Sequence, residues 1–109
     1  MNDLAPLVLP EINQLQKELE SSLPETCDRA TLKVVMHYEE GSVGSSHVLH
    51  PVDSPDDFID LPTEVFQLTA LIERKTRAAG QPWREMTVDA DRRHQGAWEF
   101  EVAFIPRAA

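Results

Sequence analysis

Bases are scarce in the first sixty residues of this chain, where Lys17, Arg29 and Lys33 stand against twelve acids. Residues 61–109 carry seven of each sign, so the whole net charge of −9 sits in the first part. Such an imbalance repels polyanions and argues against a nucleic-acid or anionic-membrane partner. It favours a basic protein partner, or it serves solubility alone. Cysteine is nearly absent too. Cys27 stands alone, so no internal disulfide is possible, which fits a reducing compartment. No apolar run reaches the length of a membrane span, and "MNDLAPLVLPE" has an acid where a signal peptide needs bases. These absences predict a cytoplasmic protein. The hydrophobic content of 41% and charged content of 27% are those of a globular chain. Its length of 109 residues suits one domain, 1–109, with a modest core.

The signatures of most site chemistries are missing as well. No GxSxG elbow occurs, and no Cys/His arrangement surrounds Cys27, so no catalytic residue is assigned and no enzyme is expected. Gly41 and Gly44 open no helix and precede no Lys-Ser/Thr pair, which excludes a phosphate loop. His37, His47, His50 and His94 form no HExxH pair and no Cys/His ligand spacing. His37 and His50 can face each other across a hairpin, yet no metal site or cofactor is expected. Asp53, Asp56 and Asp57 resemble a calcium loop only loosely, because the glycine and the closing Glu are missing. Arg92, Arg93 and His94 form the one basic cluster, and no aromatics interleave it.

What is present is patterning. Leu7, Val8, Ile12, Leu15 and Leu19 recur at helical spacing over residues 7–22, ahead of Pro24. Residues 30–38, "ATLKVVMHY", alternate as a strand, and "EEGSVGSS" reads as a turn region before a return strand "HVLH". "PVDSPDDFIDLP" reads as a loop or a poor edge strand. "DLPTEVFQLTALIERKTRAAG" predicts a second helix, with Val65, Leu68 and Ile72 as its stripe and Gly80 as its stop. "WREMTVDA" and "AWEFEVAFIP" predict a second hairpin, Met86, Val88, Trp98 and Phe100 facing inward. The expected fold is α+β, in the order α-β-β-α-β-β. Two helices would pack on one face of a four-stranded antiparallel sheet.

On the outward side of that second hairpin lie Glu85, Asp89, Glu99 and Glu101, with one natural register setting Glu85 near Glu101. Like charges opposite one another are mildly destabilising, so an acidic surface kept there invites a basic partner. The candidate partner-binding residues are Glu39, Glu40, Asp53, Asp56, Asp57 and Asp60, with Glu85, Asp89, Glu99 and Glu101 beside them. A plain solvated surface accounts for the same acids.

Over "PWREMTVDADRRHQGAWEFEVAF" the chain resembles the YezG-like immunity proteins. The shared features are a Trp opening a strand, an acidic strand end, a Gly-containing turn, and a strand of alternating aromatics and acids. The likeness is specific from Trp83 to Phe104 and topological elsewhere. It implies a non-enzymatic cytosolic antitoxin of a polymorphic or contact-dependent toxin system, binding one cognate toxin. Many such toxins are basic nucleases, which would suit the acidic first half. A second reading is an acidic secretion chaperone that binds an effector protein. That class usually dimerises and has three strands between its helices, which here would require "DDFIDL" to pair. A small-ligand or enzymatic domain would need an enclosed polar pocket. The sequence leaves the oligomeric state open, with a monomer expected.

Overall fold

A computed structural model describes residues 5–92 and 96–107. Arg93 and His94, two members of the basic cluster, lie outside the described residues. A short 3-10 turn, Ala5–Val8, leads into helix α1, Leu9–Ser22. Pro10 sits in the first turn of α1, where its missing N–H costs nothing, and Leu23 turns extended ahead of Pro24. Ile12, Leu15 and Leu19 are buried as the stripe requires, together with Val8 from the turn. Leu7 was expected on that stripe but is exposed. The tighter 3-10 turn, at three residues per turn, rotates it away from the line that α1 follows.

Strand β1, Arg29–Glu39, pairs with β2, Ser42–Pro51, through a turn of only two residues, Glu40 and Gly41. Gly41 has φ 77°, the left-handed conformation that a two-residue hairpin turn demands. The turn region expected over 39–46 is thereby corrected. Ser42 to Ser46 are strand, because pairing with the strongly apolar β1 outweighs the weak β-propensity of Gly and Ser. Residues 52–62 form a loop, with no strand at "DDFIDL". Helix α2, Thr63–Ala78, ends at Gly80, φ 77°, whose N–H donates to the Arg77 carbonyl at 3.0 Å. Strands β3, Trp83–Asp91, and β4, Glu99–Pro106, complete an antiparallel sheet in the order β2-β1-β3-β4.

Alternation gives the sheet two unlike faces. Ala30, Leu32, Val34 and Met36 of β1 join Met86, Val88 and Ala90 of β3 and Phe104 of β4 in one core with both helices. Each large side chain there contributes on the order of 2 kcal/mol by leaving water. Trp83 is fully buried and meets Phe104 edge-on, ring centroids 5.4 Å apart. The opposite face, with Thr31, Lys33, Val35 and His37 in β1, carries no helix and is partly or fully exposed.

The expectation of two helices both laid on one sheet face is not met as stated. α1 packs chiefly against α2 and the 3-10 turn, whereas α2 also approaches β3. Lys75 Nζ meets Glu11 Oε2 at 2.6 Å and ties the two helices together. Trp98 precedes β4 and, half-buried, packs against the core as its alternation predicts, with the Arg92 guanidinium 4.7 Å from its ring centroid.

Candidate protein-binding surface

The pairing of β3 with β4 decides where the carboxylates meet. Asp89 lies directly opposite Glu101, and Asp91 directly opposite Glu99. Side chains at opposed positions of an antiparallel pair have Cβ atoms about 5 Å apart, so two like-charge pairs are stacked on the helix-free face. Glu85 was expected near Glu101 but stands opposite Ile105, and its carboxylate pairs with Lys33 Nζ at 3.1 Å. β4 runs on to pair Pro106 with Trp83, and a register shift between Trp83 and Glu85 separates that pair from the regular ladder that sets Glu101 opposite Asp89.

These acids are held from β1. The Thr31 hydroxyl donates to Asp89 Oδ1 at 2.9 Å, and Arg29 Nε approaches Asp91 Oδ2 at 3.8 Å. Around them lies a shallow depression of about 640 Å³, lined by Arg29, Thr31, Asp89, Asp91, Glu99 and Glu101. Arg29 also lines a second depression, of about 430 Å³, with Asp28, Asp53, Asp57 and Phe58. The loop 52–62 therefore adjoins the acidic end of β3 and β4, and distant stretches of sequence share one rim. Phe58 stands 72% exposed on that rim, between acids on either side. Asp56 and Asp60 are exposed on the same loop.

Glu39 and Glu40 are brought elsewhere. They sit at the β1–β2 turn, at the far end of the sheet, beside Arg77 and Arg107. Close by, the Tyr38 hydroxyl shares its single hydrogen between Glu73 Oε2 at 3.0 Å and the Trp83 carbonyl at 2.8 Å. Arg77 Nε meets the same carboxylate at 3.0 Å, and the Arg107 guanidinium lies 4.2 Å from the Tyr38 ring centroid. Burial and then the neighbouring Glu73 carboxylate push the Tyr38 hydroxyl up to about 12. This network fastens β1, α2 and β3 to one another.

The histidines do not converge. In the observed register His37 opposes Gly44 and His50 opposes Thr31, six positions apart along β1, so the two cannot face each other. His37 Nε2 instead meets Ser46 Oγ at 2.9 Å. His47 is half-buried under α2, its Nε2 2.7 Å from Thr69 Oγ1, and burial holds its pKa below the usual value. Among the described residues no three His, Cys, Asp or Glu side chains are gathered for a metal ion. No helix of the described residues is long and apolar enough to cross a membrane.

Sequence reasoning missed Asp28, Asp91, Arg29, Thr31 and Phe58 as members of this rim. Asp91 was within reach, since it follows Asp89 by the two-residue period of a strand. Phe58 had a weaker signal, a lone aromatic in an acidic, proline-bounded loop with no apolar periodicity to bury it. Glu73 was missed altogether, although its position continues the buried α2 stripe of Val65, Thr69, Ile72 and Thr76, because a carboxylate there reads as surface until Tyr38 and Arg77 supply its partners. Compared with known families and with curated proteins, the chain matches no family model and no curated protein.

Proposed function

We propose that this chain is a cytoplasmic immunity protein, an antitoxin that binds and neutralises a cognate basic toxin domain without chemistry of its own. The observation that carries the reading is the doubled like-charge pairing of Asp89 with Glu101 and Asp91 with Glu99 on the open sheet face. Such pairs work against folding, and a cationic partner would remove the penalty on binding. Two further features support it. The loop acids Asp53 and Asp57 extend the negative rim, and exposed Phe58 provides the aromatic anchor that energetic centres of interfaces commonly have. The likeness of Trp83–Phe104 to YezG-like immunity proteins agrees with both.

The binding end is placed at Asp53, Asp57, Asp89, Asp91, Glu99 and Glu101, with Asp56 and Asp60 on its margin. Glu39 and Glu40 would form a separate, weaker contact at the far end. The test is co-expression with the product of the adjacent reading frame. A complex that dissociates as salt rises, together with relief of toxicity, is the expected result. No complex at low salt, or one indifferent to reversal of Asp89 and Glu101 to Lys, would overturn the reading.

A further inference from the structure

Among the described residues β2 and β4 are the outer strands of the sheet, and the two differ in kind. β4 carries Glu99, Glu101 and Pro106, residues that discourage a further strand. β2, "SVGSSHVLHP", has no charged residue over ten positions. Two backbone bonds show which groups of β2 point outward. Val52 N–H donates to the Arg29 carbonyl at 3.0 Å, so even-numbered positions face β1. Leu49 is odd, and its carbonyl instead accepts the Ile59 N–H at 2.8 Å from the returning loop. That loop covers the edge at Leu49. Val43, Ser45 and His47 then hold their N–H and C=O groups outward, and among the described residues no backbone bond satisfies them.

We infer that this edge pairs with the β2 edge of a second copy of the chain, forming a symmetric antiparallel dimer with an eight-stranded continuous sheet. The three open positions are symmetric about Ser45, so a two-fold axis there sets Ser45 against Ser45 and Val43 against His47. The outward groups of Val43, Ser45 and His47 on both strands are satisfied in that register, and Leu49, whose carbonyl the loop already binds, is left outside the paired segment. No like charges meet in it, whereas the same operation on β4 would set acids against acids. Glu40 of each copy approaches His50 of the other. Val43, 41% exposed, reaches the His47 ring and the exposed Phe66 that packs on it at 4.6 Å, so apolar contact accompanies the hydrogen bonds. This replaces the expected monomer, and it does not depend on the toxin-binding reading, whose principal strand acids, Asp89, Asp91, Glu99 and Glu101, lie on β3 and β4 at the other half of the sheet.

Sedimentation equilibrium and amide hydrogen exchange on the purified chain test it. The mass rises from 12.3 kDa toward twice that value as concentration rises, and the Val43, Ser45 and His47 amides slow at least about tenfold in step. Ser45→Lys, which sets two ammonium groups across the axis, abolishes both effects. Ser45→Pro removes only an outward N–H and does the same, and thermal melting confirms that each variant is folded. A monomer at about 1 mM, the weak limit of specific association, overturns the proposal. So does a dimer that survives both substitutions, or protection of those amides only when a different protein is added.

Discussion

Glu101→Lys should make the isolated protein more stable, which is unusual for a charge reversal at a surface position. In the native register Glu101 stands opposite Asp89 on the open face, and among the described residues no cation pairs with either carboxylate. Two unit charges about 5 Å apart in a water-like medium interact by roughly 0.8 kcal/mol. Opposed pairs on strands are worth roughly 0.2–1 kcal/mol either way. Turning repulsion into attraction should therefore raise unfolding free energy by about 1 kcal/mol at low salt, a shift of some 4–8 °C in Tm for a domain of this size. Glu99→Lys should gain less. Its partner Asp91 is already approached by Arg29 at 3.8 Å, and a new ammonium group there would repel that guanidinium. Urea unfolding of both variants with and without salt measures the difference, and the gain should shrink as salt screens the pair. A destabilised Glu101→Lys, a gain indifferent to salt, or equal gains at the two positions would refute the assignment of strain to the Asp89–Glu101 pair.

Other consequences follow from the buried polar groups and the turns. Tyr38→Phe leaves the Glu73 carboxylate and Trp83 carbonyl without their shared hydrogen and should cost about 1–3 kcal/mol in denaturant unfolding. Because the Tyr38 pKa is raised from 10.0 to about 12, its stabilisation is complete below pH 10.0 and lost as pH climbs toward 12. The alkaline loss should be smaller in Tyr38→Phe. On the acid side, His47 is held below its usual 6.5 by burial, so the unfolded chain takes up a proton first and stability falls as pH drops below 6.5. His47→Gln should flatten that step, while the loss below 4.5 from Glu11, whose pKa is lowered by Lys75, remains. Gly41→Ala should cost about 1 kcal/mol through the backbone alone, since φ is 77° and a Cβ there would meet nothing within 4 Å. A thermal melt of that variant checks it.

Where one residue's neighbours lie close in sequence, the fold was legible. The stripes of α1 and α2 and the alternation in β1 and β3 follow from spacing alone, and Met86 and Val88 are buried as their alternation predicts. The α+β character and the four-stranded antiparallel sheet follow from those elements. The length of β2 did not, because Ser42 to Ser46 carry no strand signal of their own and become a strand through β1. Nor did the packing of α1 against α2, which depends on which helix the Glu11–Lys75 contact draws close. For the candidate surface the acid types were legible and their grouping was not. Register placed Glu85 beside Lys33 and Asp89 beside Glu101, and a loop closure at Ile59 brought Asp53 and Asp57 to the same end.

Affinity for the product of the neighbouring reading frame, titrated across a range of salt, tests the central claim most directly. Two neutralised variants bracket the question, Asp89→Asn with Glu101→Gln at one end and Glu39→Gln with Glu40→Gln at the other. The first should weaken binding about tenfold or more at low salt, roughly 1.4 kcal/mol, and reduce the salt dependence, while the second changes it less than about threefold. Equal effects at the two ends, or an affinity that neither salt nor the loss of Asp89 and Glu101 alters, would contradict it.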